Sequence, residues 1–334
     1  MSRSQVTSTV EQNTGGAVSP YVAGKNKIIN GDFGVWQRGT SFSSPTSSTY
    51  NADRFYIAFD GTGATRTISQ QTFTPGTAPV AGYESAYFWR LSETVAGSGG
   101  SYKLLAQKIE DVRTFAGQTV TVSFWGKADA SRSVSVAFSQ NFGSGGSAAV
   151  TVYPTGSNLT TSWARYTYTT TLASIAGKTI GTNSFLEIDI NFQLNTTQTV
   201  DIWGVQVEAG SVATPFTTAT GTLSGELTAC QRYYYQPSNT SANIGVMGAA
   251  STTGVARLYI AVPVPMRGNT ASVSYTGTPQ LYDGVNTINV TSIAFNTISE
   301  NQLNINIGVA SGLTQYRPYS LYLNGGTILV SSEL

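Results

Sequence analysis

The sequence predicts an all-β fold: a jelly-roll β-sandwich, a short connecting helix and a smaller C-terminal β-sandwich. Apolar and polar residues alternate with period two through most of the chain, as in antiparallel strands that bury one face. Turn-forming clusters rich in Gly and Ser separate these segments at intervals of roughly ten to fifteen residues. Charged residues make up only 10% of the chain, against roughly 25% in a typical soluble domain. Strong helix formers such as Glu and Lys are therefore scarce.

Residues 1–25 form a polar N-terminal segment that cannot bury enough apolar surface to fold alone. Two interpretations stay open: a frayed terminus, or an arm that docks on another protein of an assembly. The segment has no apolar run resembling a signal peptide, and the chain has no run of eighteen apolar residues. We expect the protein to be made in a cytoplasm and to work without ordinary secretion or membrane insertion.

Residues 26–216 are predicted to form the jelly roll. Apolar residues occupy every second position in the segments 120–124, 134–138 and 188–194, and Thr, Ser, Asn or acidic residues occupy most positions between them. Each segment therefore reads as a strand with one buried and one polar face. Many such strands separated by short turns are typical of a two-sheet sandwich.

Residues 217–237 contain the predicted connecting helix, of about fourteen residues and ~1.5 Å rise per residue. Leu223, Leu227, Cys230 and Tyr234 are spaced four, three and four apart, which places them on one helix face. Pro237 is expected to end the helix. Since the spacing is that of a heptad, these four residues are candidates for the seam of a homotrimer. Cys230 is expected to pack as a small hydrophobic side chain rather than act as a reactive thiol.

Residues 238–334 are predicted to form the second, smaller β-sandwich. The alternation resumes in the segments 258–262, 303–307 and 321–324. Tyr316, Tyr319 and Tyr322 lie close together among small polar residues near the C-terminus. Tyrosines in such surroundings make good recognition surfaces, although packing at the edge of their own domain is an equal alternative.

The composition excludes several kinds of chemistry. The chain has 334 residues, no histidine and a single cysteine. It therefore lacks the Ser–His and Cys–His nucleophile pairs, the usual zinc ligand sets and any intrachain disulfide. Its formal net charge is +1, so no basic field attracts nucleic acid or anionic lipid. We expect neither as a partner.

Several short motifs together carry a resemblance to a known family. They are Asn26–Phe33, Trp36–Gly39, Ala52–Phe55, Trp203–Gly210, Ala213–Phe216, Glu226–Tyr235, Val262–Arg267 and the segment 312–319. Their order and spacing resemble bacteriophage tail-fibre and receptor-binding proteins whose jelly roll is similar to carbohydrate-binding modules of the 4/9/22 type. The resemblance implies a homotrimeric virion protein, attached through its N-terminal arm, whose C-terminal domain forms the fibre tip. It also implies binding of a host-surface glycan for adsorption, without cleavage.

A glycan site needs aromatic faces for sugar rings and polar groups for hydroxyls. The polar face of the segment 186–194 offers Glu187, Asp189, Asn191 and Gln193, and the alternation of the segment 119–127 exposes Trp125. If the two strands share a sheet, these side chains line one open face. The alternatives are contact with a neighbouring subunit or a solvated surface. The C-terminal tyrosines are the second candidate site.

Three further hypotheses complete the interpretation. The resemblance implies a structural Ca²⁺ in many such modules, for which Asn30, Asp32 and Asp201 are weak candidates; turn and capping roles are the alternative. Glu187 and Asp189 could be the carboxyl pair of a glycan depolymerase. The sequence shows no evident hydrophobic pocket that would raise the pKa of either carboxyl group. We therefore expect no enzyme, and we expect no required cofactor. A structural virion protein (a head fibre, decoration or fibre adaptor) is the main alternative.

Overall fold

The computed structural model describes residues 24–237, 243–267, 272–299 and 302–334. Among the described residues, strands hold 49% and helix only 3%, which confirms the all-β class. The chain forms two compact units. One ends at Leu227 and also takes in Leu334, and the other runs from Thr228 to Glu333.

The first unit contains thirteen strands within the described residues. They are β1 (Ser41–Ser43), β2 (Thr49–Tyr50), β3 (Tyr56–Phe59), β4 (Thr65–Thr72), β5 (Tyr87–Val95), β6 (Lys103–Glu110), β7 (Thr119–Ala128), β8 (Arg132–Asn141), β9 (Val150–Val152), β10 (Ser157–Leu159), β11 (Ala164–Thr171), β12 (Phe185–Phe192) and β13 (Gln198–Ala209).

Two antiparallel sheets build this unit, and they confirm the predicted jelly-roll sandwich. The six-stranded sheet has the order β1-β4-β5-β13-β7-β11, and the seven-stranded sheet has the order β10-β8-β12-β6-β3-β2 with β9 beside β8. Apolar side chains from both sheets form one core, exemplified by Val122 and Phe124 of β7 and Ile188 and Ile190 of β12. The period-two patterns seen in the sequence therefore describe the inner faces of two stacked sheets.

A cap of aromatic side chains covers the outer face of the six-stranded sheet. Phe73, Phe88, Trp125, Trp203 and Phe216 form a buried cluster of their own. At Gly204 the register of β13 shifts and the backbone has φ +66°, and a Cβ here would lie 2.8 Å from the Trp125 ring. Only glycine meets both requirements without strain.

The single helix in the described part of the chain, α1, spans Leu223–Gln231. The prediction of a helix reaching residue 236 was wrong, because Tyr234–Tyr235 forms strand β14 and pairs with β22 (Ile328–Ser331). Strand pairing thus overrides the helical spacing. The predicted seam is divided as a result: Leu223 and Leu227 are 68% and 38% exposed, whereas Cys230 and Tyr234 are buried within the chain.

The second unit is a closed barrel with a small sheet. Six strands form the barrel: β15 (Asn243–Ala250), β16 (Val255–Ala261), β18 (Thr278–Tyr282), β19 (Thr287–Ser299), β20 (Gln302–Val309) and β21 (Pro318–Asn324). In the order β15-β16-β20-β19-β18-β21 each strand pairs with the next, and the pairing of β21 with β15 closes the ring. The C-terminal half is therefore a barrel rather than a two-sheet sandwich. The remaining strands of this unit are β14, β17 (Ser272–Tyr275) and β22. Strands β14, β22 and β17 make the small sheet.

Among the described residues, no helix combines the length and apolar character needed to cross a bilayer. The predicted N-terminal arm, residues 1–25, lies outside the described residues except for its last two positions.

Candidate functional site

Strand β12 presents the predicted acidic residues on the outer face of the seven-stranded sheet. Its even-numbered residues are buried in the sandwich core, so Glu187, Asp189 and Asn191 point to the other side. Gln193 follows the end of the strand, where its side-chain oxygen accepts a hydrogen bond from the backbone of Ser133 at 3.4 Å. The sequence alternation therefore predicted this arrangement correctly.

Neighbouring strands complete the surroundings of the acidic residues. In the strand register, Lys108 of β6 lies opposite Glu187, and Ala106 lies opposite Asp189. Tyr56 of β3 lies opposite Ala106, and its hydroxyl donates a hydrogen bond to Glu187 Oε1. The small Ala106 side chain thus leaves Tyr56 room to reach across β6 to the carboxylate.

Aromatic rings border the same surface. Tyr50 and Tyr56 lie with ring centroids 5.3 Å apart. The Lys108 ammonium lies 4.7 Å from the centre of the Phe185 ring and 5.5 Å from that of Tyr56, within the range of cation–π attraction. Lys108 also donates to the main-chain carbonyl of Leu334 at 2.8 Å. We call the surface of Tyr50, Tyr56, Lys108, Phe185, Glu187, Asp189 and Asn191 the β12 face.

The two carboxyl groups of the β12 face are shifted toward the protonated form. Burial raises the pKa of Glu187 to about 7. Burial, and then the negative charge of Glu187, raises the pKa of Asp189 to about 8, against a smaller lowering effect of Lys108. Loss of hydration disfavours the charged form of each group, and a neighbouring like charge does so again. No hydrophobic pocket that would raise a carboxyl pKa was evident in the sequence, but burial on the sheet raises the pKa of both groups.

Two polar atoms of the β12 face are shielded and have no hydrogen-bond partner. They are Oδ1 of Asp189 and Nδ2 of Asn191. Polar atoms hidden from water are paired in the great majority of cases. Asn191 also borders a cavity of about 360 Å³ together with Ser133, Ser135 and Ser157. The strand therefore offers an acceptor and a donor on the same side, two residues apart.

Trp125 does not belong to the β12 face. It lies on β7 of the six-stranded sheet, so the two strands do not share a sheet as the combined site required. Its ring points away from the core as predicted, but it is only 9% exposed because Trp203 and Phe216 pack against it. The Arg165 guanidinium lies 4.6 Å from the ring centre. The alternation could not reveal this cover, because it comes from distant segments.

The C-terminal tyrosines are separated by the geometry of the barrel. Tyr319 is 2% exposed and packs in the barrel core, where its hydroxyl accepts a hydrogen bond from the Thr314 backbone at 2.9 Å. Tyr322 is half-buried and contacts Tyr282 edge to face. Tyr316 is 80% exposed. Residues three apart on a strand point to opposite faces, so Tyr319 and Tyr322 cannot share one recognition surface.

The three calcium candidates do not form a ligand set. The Asp201 carboxylate is held by Arg90 at 2.6 and 2.8 Å and by Lys127 at 3.5 Å. The Asn30 side chain is used in a turn, where it bonds to the backbone of Val35 and Asp53. Over the described residues, no cluster of three or more His, Cys, Asp or Glu side chains could hold a metal ion. The residues therefore do not fit the implied Ca²⁺ site.

Asp32 lies in a different setting. Its carboxyl accepts hydrogen bonds from Gly34 at 3.3 Å and from the Tyr83 hydroxyl at 3.4 Å. Burial, and then the charge of Glu226, raises the pKa of Asp32. It borders a cavity of about 400 Å³ that is also lined by Tyr83 and Leu223.

Sequence reasoning missed four residues that complete the β12 face: Tyr50, Tyr56, Lys108 and Phe185. The segments 56–59 and 103–108 show no clear alternation of apolar and polar residues. Nothing in the sequence showed that β6 and β3 lie beside β12, because the three strands are far apart along the chain.

Comparisons with known proteins gave structural likenesses only. No protein-family model and no curated protein matches the sequence. The enzymatically active domain of tailspike protein 4 from bacteriophage CBA120 is 18% identical with a TM-score of 0.36, and the match covers 58% of this chain and 22% of that one. A CBM4 structure is 20% identical with a TM-score of 0.32, over 55% and 99% of the two chains. The CBM22-2 xylan-binding domain of Paenibacillus barcinonensis Xyn10C is 13% identical with a TM-score of 0.33, over 55% and 97%.

Proposed function

We propose that the protein is a subunit of a homotrimeric phage tail fibre and that it binds a host-surface glycan through the β12 face without cleaving it. The observation that carries the glycan part is the pair of shielded, unpartnered atoms, Asp189 Oδ1 and Asn191 Nδ2. A sugar hydroxyl both donates and accepts hydrogen bonds, so a glycan could pair with both atoms. Leaving such groups unpaired costs about 1–3 kcal/mol each, which a bound glycan would recover.

The aromatic rings beside the acidic residues support the same proposal. Tyr50 and Phe185 are half-buried and so keep part of their surface available, whereas Tyr56 is buried and supplies only its hydroxyl, which is bonded to Glu187. Flat rings next to a few placed polar groups are the usual composition of a small-ligand site.

The fibre part of the proposal rests on the sequence resemblance and on α1. Leu223 and Leu227 remain exposed on this helix. Exposed large apolar side chains close together are typical of an interaction surface. Three copies would convert weak single-site contacts into useful avidity by raising the effective concentration of sites.

Binding can be tested with purified protein on an array of bacterial surface polysaccharides, followed by calorimetry with a positive glycan. We expect the wild type to bind, and Asp189→Ala and Asn191→Ala to weaken binding about tenfold each, since each removes one hydrogen-bonding group. Glu84→Gln is the matched control. Glu84 is an exposed carboxylate in the loop that precedes β5, a strand of the six-stranded sheet, and Gln keeps an acceptor for the Gly76 backbone. No binding to any glycan, or equal binding by all variants, would contradict the proposal.

The virion part needs a separate experiment. Antibodies against residues 238–334 should label the tails of intact phage particles and block their adsorption to host cells. Particles that carry no label would contradict the fibre assignment, and labelled heads would favour the structural alternative.

Cleavage is a second candidate because the carboxyl pKa values at Glu187 and Asp189 are raised, as a general acid requires. The two residues are on the same strand and the same side, however, whereas glycosidases place their carboxyl groups on either side of the scissile bond. We expect no new reducing ends after prolonged incubation with a bound polysaccharide. Their appearance, and their loss in Glu187→Gln, would establish an enzyme.

A further inference from the structure

The two carboxyl groups of the β12 face meet few opposite charges. The two carboxyl groups are those of Glu187 and Asp189 on β12. Strand β6 presents Lys108 and, one step further, Glu110 toward the same side, while β3 and β2 present the hydroxyls of Tyr56 and Tyr50. On the other flank, β8 contributes only the uncharged residues Ser135, Ala137 and Ser139.

We propose that Glu187 and Asp189 are specificity-determining residues that act as a charge filter, so that the β12 face accepts uncharged glycans and excludes carboxylated ones more strongly as the pH rises. This inference rests on the proposed function, because it concerns the ligand of the same site. The geometry supports it: a glycan lying along the row from Tyr56 to Asn191 must pass directly over both carboxyl groups, and Asp189 Oδ1 has no donor of its own to offset an approaching anion.

The direction of the pH effect follows from the protonation of the pair. At pH 5.5 the raised pKa values leave both groups largely neutral, and at pH 9 both are largely ionised. The carboxylate of a sugar acid is charged throughout this range, as ordinary carboxyl groups are. Repulsion therefore grows between about pH 6 and 9, and Lys108 can offset only one of the two negative charges. Like charges brought together at an interface cost several kcal/mol.

The experiment uses one neutral polysaccharide that binds in the array, together with the same polysaccharide after oxidation of its primary hydroxyls to carboxylates. The affinity of the full-length protein for each form is measured at pH 5.5 and at pH 9. We expect the ratio of neutral to oxidised affinity to rise at least about tenfold between the two pH values. In the double variant Glu187→Gln/Asp189→Asn the ratio should not change with pH, and Glu84→Gln should behave as the wild type.

The ratio separates the charge filter from the proposed function. A ratio that stays constant in the wild type, or that rises equally in the double variant, would overturn the filter while glycan binding stands. If no neutral polysaccharide binds at either pH, the proposed function and the inference both fall. Because the affinities for the neutral and the oxidised polysaccharide are compared at the same pH, general effects of pH on the fold cancel in the ratio.

Discussion

Among single residues, Glu93 has the largest predicted effect on stability. Its carboxylate lies 3% exposed between two buried cations: Arg66 donates to it at 2.9 Å and Lys103 forms a second ion pair. Gln198 donates a further hydrogen bond at 3.1 Å. Glu93→Gln keeps the shape but leaves two buried cations without a counter-charge, which should lower the free energy of unfolding by about 3–5 kcal/mol.

Urea denaturation of the variant and the wild type measures this difference. Asp111→Asn is the control, because Asp111 pairs with Arg113 at the surface, where the two side chains are 46% and 61% exposed. Such a pair contributes less than about 1 kcal/mol. Equal losses in both variants would show that the buried triad has no special role.

The carboxyl groups of the β12 face make stability depend on pH. Their pKa values in the folded protein are about 7 for Glu187 and about 8 for Asp189, above the unfolded values of 4.5 and 3.8. The folded state therefore holds protons that the unfolded chain has released. The stabilisation of the folded state by these protons is fully present below pH 4, and it is lost as the pH rises through 7 and 8.

We expect the free energy of unfolding of Glu187→Gln/Asp189→Asn to rise by several kcal/mol relative to that of the wild type between pH 5 and pH 9, because each carboxyl group that stays protonated only in the folded state costs the wild type ~1.4 kcal/mol per pH unit. Thermal or urea unfolding at several pH values gives this difference directly. A constant difference across the range would mean that the two groups titrate normally in the folded protein.

Residue by residue, the sequence predicts which side of a strand a residue occupies but not what covers it. The alternation correctly placed Glu187, Asp189 and Asn191 away from the core. The same reasoning gave the right direction for Trp125, but the surface there is filled by aromatic residues from other segments. Cover of this kind depends on long-range packing, which local periodicity does not contain.

At the scale of elements, the start of α1 depends on Glu226. This side chain is 1% exposed, and its carboxylate accepts hydrogen bonds from the Asn30 backbone at 2.6 Å and from the Thr220 backbone and hydroxyl at 2.7 and 2.8 Å. The residue thus ties the first turn of the helix to the turn at residues 26–33. It also lies where the helix dipole favours a negative charge.

Glu226→Ala should lower the free energy of unfolding by about 3 kcal/mol, because it leaves three donors unsatisfied. Glu226→Gln should cost less, since its side-chain oxygen can still accept one or two of the bonds. Urea denaturation measures both values. Equal stability of Glu226→Ala and the wild type would mean that water replaces the carboxylate at no cost.

The end of α1 shows why element boundaries are harder to predict than element types. The spacing of Leu223, Leu227 and Cys230 is helical, and the structure has a helix there. Tyr234 continues the spacing but lies in β14, where it pairs with Ser331. A partner almost a hundred residues away decides the conformation, and tyrosine is one of the residues that favour strands.

For the molecule as a whole, the sequence predicts the strand content well and the closure of sheets poorly. The two stacked sheets of the first unit follow from many alternating segments with one apolar face. In the second unit β15 pairs on both sides, and this pairing turns the expected sandwich into a barrel. Both arrangements bury the same alternating residues, so the hydrophobic pattern alone cannot distinguish them.

The assembly of three chains is the last prediction, and it belongs to this largest scale. Leu223 and Leu227 are one helical turn apart on α1 and are 68% and 38% exposed in the single chain. A homotrimer that buries these exposed parts against their counterparts would gain about 1–2 kcal/mol from each Leu223 and less from each Leu227. Sedimentation should give three times the mass of one chain. Leu223→Asp/Leu227→Asp should give monomers, because burying carboxylates at such a seam is unfavourable.

The matched control for assembly is Met247→Asp, which adds a carboxylate at another exposed apolar residue, 64% exposed, on the barrel. If the control dissociates and the helix variant does not, the copies associate through the barrel instead. A wild type that sediments as a single chain at micromolar concentration would remove the avidity on which the fibre proposal depends. Glycan binding by the β12 face would then have to be strong enough in one chain alone.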